Sequence, residues 1–186
     1  MKFVQPIRDK EILQDIKKYL KNKNERDYIL FSIGIYTGLR ISDILELRVK
    51  DLKDKEHLTI QEKKTKNRKK NKQRIIKVHP KLQKELKVFL KEKSLDDYVI
   101  KSRQGNNKPI TRERAYGILQ DIAKEFNLQS VGTHTLRKTF GYNIYQQSKN
   151  VALLQEMFNH SDPAITLRYI GINQDTMDFA IDKIDF

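Results

Sequence analysis

The 186 residues suit one compact unit, and 38 Lys and Arg against 24 Asp and Glu leave a formal net charge of +14 at pH 7, more than solubility alone asks for. That excess points to a polyanionic partner; nucleic acid is favoured over a membrane because no run approaches the ~18 apolar residues of a spanning helix and no basic amphipathic anchor stands alone at a terminus. The absence of cysteine excludes disulfides, thiolate catalysis and cysteine-based zinc sites. The opening MKFVQPIRDKEIL shows no signal or transit peptide, so a cytoplasmic location is expected.

In chain order, Ile12, Leu13, Ile16, Tyr19 and Leu20 recur at helical spacing and predict an amphipathic helix over Asp9 to Lys21. Tyr28 to Tyr36 is apolar almost all round and reads as a central core helix, with Gly38 at its C-cap. Ser42 is the predicted N-cap of a short helix carrying Ile44, Leu45 and Leu47. Leu58 with Ile60, and Ile76 with Val78, alternate with polar residues and predict two short strands. They bracket Gln61 to Arg74, in which eight of fourteen residues are Lys or Arg, read as a hairpin with a basic tip or a solvated charged loop. Leu82, Leu86, Phe89 and Leu90 form the face of another helix, Asp97 to Ile100 a further short strand, and Gln104 to Lys108 a turn. Thr111 caps a helix bearing Tyr116, Ile118, Leu119, Ile122, Ala123 and Phe126; another is predicted to begin at His134. Helical stretches follow over Val151 to Phe158, Pro163 to Tyr169 and Asp175 to Ile184, the middle one bracketed by Pro163 and Gly171. The predicted class is mainly α with a small antiparallel β-sheet.

Four constellations carry chemistry: Thr37-Gly38-Leu39-Arg40 with Asp43, the basic loop, His134-Thr135-Leu136-Arg137, and His160 with Tyr169. Each alone is weak, since an Arg after a Gly is usually a surface cation and a Tyr late in an amphipathic helix is usually core. Together they suit attack on a phosphodiester, whose pentacovalent phosphorus two guanidinium groups can clamp through their forked N–H groups. Arg40 and Arg137 supply the pair, and His134 shares a helix face with Arg137. Tyr169 is the candidate nucleophile; with an ordinary pKa near 10 it needs a base and a cationic pocket at neutral pH.

Order and spacing of these boxes resemble the catalytic domain of tyrosine recombinases over about residues 8 to 172. TGLRISDILEL resembles the first Arg box, KKTKN the β-hairpin Lys, HTLRKTFG the HxxR box and NHSDPAITLRYIG the His-to-Tyr box; Lys64 follows Arg40 by 24 residues and Tyr169 follows His160 by nine. The resemblance implies a DNA strand-exchange enzyme using neither metal nor cofactor. Arg40 and Arg137 would clamp the phosphate and Tyr169 would become a 3′-phosphotyrosine. Lys64 would protonate the departing 5′-oxygen, with Lys63 and Lys66 as alternatives in the register. His134 would be the acid or base serving Tyr169, and His160 would hydrogen-bond the scissile phosphate. Asp43 resembles the family's buried supporting acid, or is simply a carboxylate in the first turn of a helix. The family's usual Leu-Gly-His is here Phe158-Asn159-His160, so Asn159 must adopt the left-handed turn.

Most relatives carry a separate N-terminal helical domain that completes a clamp around DNA, whereas this chain begins almost at the first catalytic helix. The expectation is therefore one catalytic domain over residues 1–186 without that core-binding domain. The expected partner is double-stranded DNA and no membrane, with a monomer when free and a homo-oligomer on DNA. In relatives the segment after the nucleophile docks on a neighbouring subunit; the apolar face Met177, Ala180, Ile181 and Ile184 fits that role or packing onto its own core. Rival readings are a type IB topoisomerase and a non-catalytic DNA-binding relative or regulator that kept the fold. An RNA-binding module lacks an RNP-like strand or GxxG, and neither Walker A, HExxH nor metal-ligand spacing is present among His57, His79, His134 and His160.

Overall fold

The structure, a computed structural model, describes residues 4–61 and 73–184. Among them the chain forms ten helices and one two-stranded sheet. Helix α1 (Lys10–Lys23) starts where the Asp9 carboxylate accepts the Glu11 and Ile12 N–H groups at 2.7 and 3.2 Å, and buries Leu13, Ile16, Lys17 and Leu20. Helix α2 (Glu25–Thr37) buries residues on every side, Ile29, Leu30, Phe31 and Ile33 among them, as its uninterrupted apolar run predicts. It ends at Gly38, whose φ of 65° only glycine adopts freely.

Helix α3 (Ile41–Glu46) is capped at Arg40 rather than Ser42. The Asp43 carboxylate, at the third helical position, reaches back to the Arg40 N–H at 3.3 Å and draws the helix start toward the N-terminus. The same device, Asp51 accepting the Arg48 N–H at 2.8 Å, opens a short helix α4 (Val49–Leu52) that periodicity did not predict.

Strands β1 (His57–Gln61) and β2 (Gln73–Lys77) pair antiparallel with Leu58 opposite Ile76 and Ile60 opposite Arg74. Leu58, Ile76 and Val78 are buried, the alternation read from the sequence. The hairpin tip, and Lys64 with it, lie outside the described residues. The strand expected over Asp97 to Ile100 is reduced to single bridges, Arg48 with Tyr98 and Lys101 with Pro109. Val99 donates to Leu47 O and Val49 to Asp97 O, after which α4 curls the partner away and the ladder stops.

Helices α5 (Pro80–Phe89) and α6 (Arg112–Glu125) close the larger core with Leu82, Leu86, Ile118, Leu119 and Ile122; Tyr116 stays 46% exposed. Helix α7 (Thr135–Ser148), capped at His134 and so starting one residue later than expected, joins two cores. Its Leu136 packs into the larger one and its Phe140 into a smaller one with Leu154, Phe158, Ile170 and Ile172. That smaller core is built by α8 (Val151–Phe158), α9 (Pro163–Ile170) and α10 (Ile172–Ile181). Helix α10 begins three residues before the expected Asp175, because Gly171 at φ 84° ends α9 and restarts a helix in one step. Ile172 is buried, but Met177, Phe179, Ile181 and Ile184 are exposed; the side chain of Ala180 lies outside the described residues. No helix among the described residues is long and apolar enough to cross a membrane.

Candidate active site

Two helix C-termini converge on Arg137, which sits in the first turn of α7. It is 2% exposed, and a buried guanidinium costs about 2–5 kcal/mol unless its donors are met. Nη1 donates to Gly38 O at 2.6 Å and Nη2 to Phe158 O at 3.3 Å, the carbonyls where α2 and α8 end. The negative ends of both helix dipoles thus face the cation, and the Phe158 ring lies 4.3 Å from the guanidinium carbon. Burial lowers the Arg137 pKa to about 10, with Arg40 and Arg74 adding repulsion, so it remains charged at neutral pH.

The glycine of the TGLR box has two reasons to be glycine, its left-handed φ and the Phe140 ring that fills the space a Cβ would take. Beyond it the chain turns to leave Arg40 exposed at the head of α3. The charge of Arg40 acts on Arg137, His134, His160 and Tyr169 alike. Asp43, half-buried, is the first-turn carboxylate of α3 and holds the Arg40 backbone.

Asn159 adopts φ 54°, the left-handed turn expected of it, and its successor His160 is fixed by Thr166, whose Oγ1 lies 3.0 Å from Nδ1. Thr166 is fully buried on α9, three residues before Tyr169. Pro163 and the Asp162 carboxylate, which accepts the Ala164 N–H at 2.7 Å, start this eight-residue helix, and Gly171 stops it. Tyr169 therefore leans on Phe158 and His160, edge to face with centroids 5.6 and 5.3 Å away. Its hydroxyl lies 3.0 Å from His134 Nδ1.

Burial holds the Tyr169 phenol above its ordinary pKa, while Arg137 and Arg40 pull the other way. Burial first, then Arg137 and Arg40, lower both His134 and His160, with Lys138 adding to the effect on His134. Neutral imidazoles beside a clustered positive charge suit proton transfer and an incoming anion, which would relieve the mutual repulsion.

The fold brings together Arg40, His134, Arg137, His160 and Tyr169 among the six residues the sequence singled out; Lys64 lies outside the described residues. Two contributors went unnoticed. Arg74, on β2, acts on Arg137. Lys138 is 5% exposed with its Nζ 5.1 Å from the Tyr169 ring centroid, and its spacing of four from His134 on one helix was the available signal. Among the described residues no group of three or more metal-ligating side chains occurs.

A profile of the Phage integrase family matches residues 6–175. The probable integrase/recombinase YoeC of Bacillus subtilis (strain 168) is 50% identical over 95% of this chain and 94% of its own. A tyrosine recombinase of Pseudothermotoga lettingae is 30% identical over 91% of this chain, which spans 58% of that protein. The fold matches the crystal structure of XerH site-specific recombinase bound to palindromic difH substrate, a post-cleavage complex, with a TM-score of 0.72 at 20% identity, covering 98% of this chain and 54% of that one. With the family profile spanning almost the whole chain and the relative from Bacillus subtilis alike nearly end to end, this protein belongs to the phage integrase family, the site-specific recombinases of the tyrosine type.

Proposed function

We propose that this chain cleaves and rejoins double-stranded DNA through a 3′-phosphotyrosyl link at Tyr169. The observation that carries the reading is the 3.0 Å contact of the Tyr169 hydroxyl with His134 Nδ1 beside the buried Arg137. With its proton on Nε2, His134 accepts the phenol proton at Nδ1 as the tyrosine oxygen bonds to phosphorus. Arg137 and Arg40 carry the charge on the non-bridging oxygens. His160 adds a donor from Nε2 when Thr166 donates to its Nδ1. The bond from phosphorus to the 5′-oxygen breaks, and Lys64 supplies that oxygen with a proton. The phosphodiester energy stays in the phosphotyrosine, so rejoining needs no external source.

The test is incubation with nicked candidate-site DNA and detection of an SDS-resistant adduct. Tyr169→Phe should remove the adduct and leave DNA affinity nearly unchanged, because the ring stays in its packing. An adduct that survives in Tyr169→Phe refutes the assignment, and binding without any adduct would leave a non-catalytic DNA-binding protein.

Residues 1–186 would act as one catalytic domain, monomeric when free and multimeric on DNA. Two features support the second part. Met177, Phe179, Ile181 and Ile184 of the α10 segment are exposed rather than folded onto their own core. A groove of about 930 Å³ between α1, β2, α7 and α8, with Leu13, Ile75, Ile144, Leu153 and Met157 in its walls, offers apolar surface of the right kind to receive such a helix.

A further inference from the structure

The residues just before α1 cross behind the site and bond to the two helices that carry it. Gln5 N–H donates to Ser130 O at 3.0 Å and Ile7 N–H to the buried Thr139 Oγ1 at 2.9 Å. Val4 O accepts from Lys138 Nζ at 2.6 Å. Arg8 Nη2 reaches Gly171 O at 3.4 Å and Gln5 Oε1 at 3.3 Å, with the guanidinium 5.5 Å from the Tyr142 ring. One end of the segment therefore grips α7 next to Arg137, and the other grips the joint between α9 and α10, two residues beyond Tyr169.

Two glycines lie against this segment. At Gly132, where no left-handed φ is involved, a Cβ would lie 3.0 Å from Val4 Cγ2, so the two would have to part by a few tenths of an ångström. At Gly171 a Cβ would lie 2.9 Å from Arg8 Nη2 and 3.4 Å from both Gln5 Oε1 and Pro6 Cδ. Pro6 and Ile7 are buried. The segment is thus packed and hydrogen-bonded along its length.

Lys138 links this segment to the nucleophile, because the Nζ that bonds Val4 O also lies over the Tyr169 ring. Tyr169 sits in the last turn of an eight-residue helix, too short to hold its own geometry without anchored ends. We propose that Val4–Arg8 is a positioning element for the nucleophile, setting the Tyr169 ring through Lys138 and the end of its helix through Arg8. The inference rests on Tyr169 being the nucleophile. In-line attack tolerates little error, since a displacement of about 1 Å costs on the order of 10²-fold in rate.

The experiment measures single-turnover adduct formation on nicked DNA at saturating DNA, with DNA Kd and thermal midpoint in parallel. Arg8→Leu and Lys138→Met should each slow adduct formation about 10- to 100-fold, with Kd changed by less than about twofold, and Lys138→Arg should recover most of the loss. Arg8 is not among the charges acting on His134, so Arg8→Leu should lower the rate without moving the pH midpoint. Because both residues act through one segment, the double variant should lose less than the product of the two single losses. Folded variants with wild-type rates, losses confined to Kd, or losses that multiply would each overturn the proposal. If Lys138→Met does not fold, Arg8→Leu and Gly132→Ala, which crowds Val4, decide by the same rates. A wild-type chain that forms no adduct rejects the Tyr169 reading instead, which is a separate result.

Discussion

Replacing His134 by Gln removes the group 3.0 Å from the Tyr169 hydroxyl while keeping polar bulk at the exposed head of α7. Burial holds the phenol above its ordinary value of 10.0, so fewer than about one in a thousand molecules carries phenolate at neutral pH, a deficit above about 4 kcal/mol. A positioned base typically recovers about 10²- to 10⁴-fold of such a deficit, and that is the expected loss in His134→Gln. The His134 pKa lies below 6.5, lowered by burial and by Arg137, Arg40 and Lys138. The form able to accept a proton therefore accumulates as pH rises through that lowered value and is the majority form at neutrality. Adduct formation on nicked DNA, followed at DNA well below saturation so that it reports the free enzyme, should climb on the acid side and level off by about pH 7. His134→Gln should lose the acid limb and lower the plateau with Kd unchanged. A limb that persists in the variant, or a wild-type rate that rises only in the alkaline range, would refute His134 as the base.

Lys64→Ala should slow cleavage by about 10²- to 10⁴-fold and recover when the leaving 5′-oxygen is replaced by sulfur, which departs without a proton; recovery in Lys63→Ala or Lys66→Ala instead would move the acid to that residue. Gly141→Ala should lower the urea midpoint by the equivalent of about 1–3 kcal/mol, because its Cβ would meet Phe158 and Ile170 at 2.7 Å; a raised midpoint would mean that the gain in helix propensity wins. Deleting residues 174–186 should leave a folded monomer by chromatography and dichroism, since Met177, Phe179, Ile181 and Ile184 are exposed, and should abolish multimeric complexes on DNA in gel shifts; unfolding would place the helix in its own core.

Local rules made much of this legible. The run from Tyr28 closed by Gly38, and the helix bracketed by Pro163 and Gly171, follow from periodicity and backbone conformation a few residues long. The HxxR and His-to-Tyr boxes are equally local. What periodicity missed depends on side chains reaching back or across. Asp43 and Asp51 each capture a backbone N–H three residues earlier, moving one helix start and creating another, and apolar spacing carries no trace of that. The expected strand at Asp97 failed because its partner curls into α4 after two ladder bonds.

Nonlocal pairing sets a harder limit, and Arg137 and Lys138 show where it lies. Side by side in HTLRKTFG, Arg137 reads as a phosphate-clamping cation and Lys138 draws no notice, yet both are buried. Gly38 and Asn159 can each be read as a helix end from sequence. That both ends aim their carbonyls at one guanidinium cannot, because the partners are 99 and 21 residues from Arg137. For Lys138 the partner is 134 residues away, in a segment with no helical or strand pattern to mark it. Burying such a cation is unfavourable until its carbonyl is in place, so the helix that presents Arg137 depends on backbone groups from several distant segments. Dependence of that kind explains how residues far from the chemistry in sequence come to govern the geometry of Tyr169.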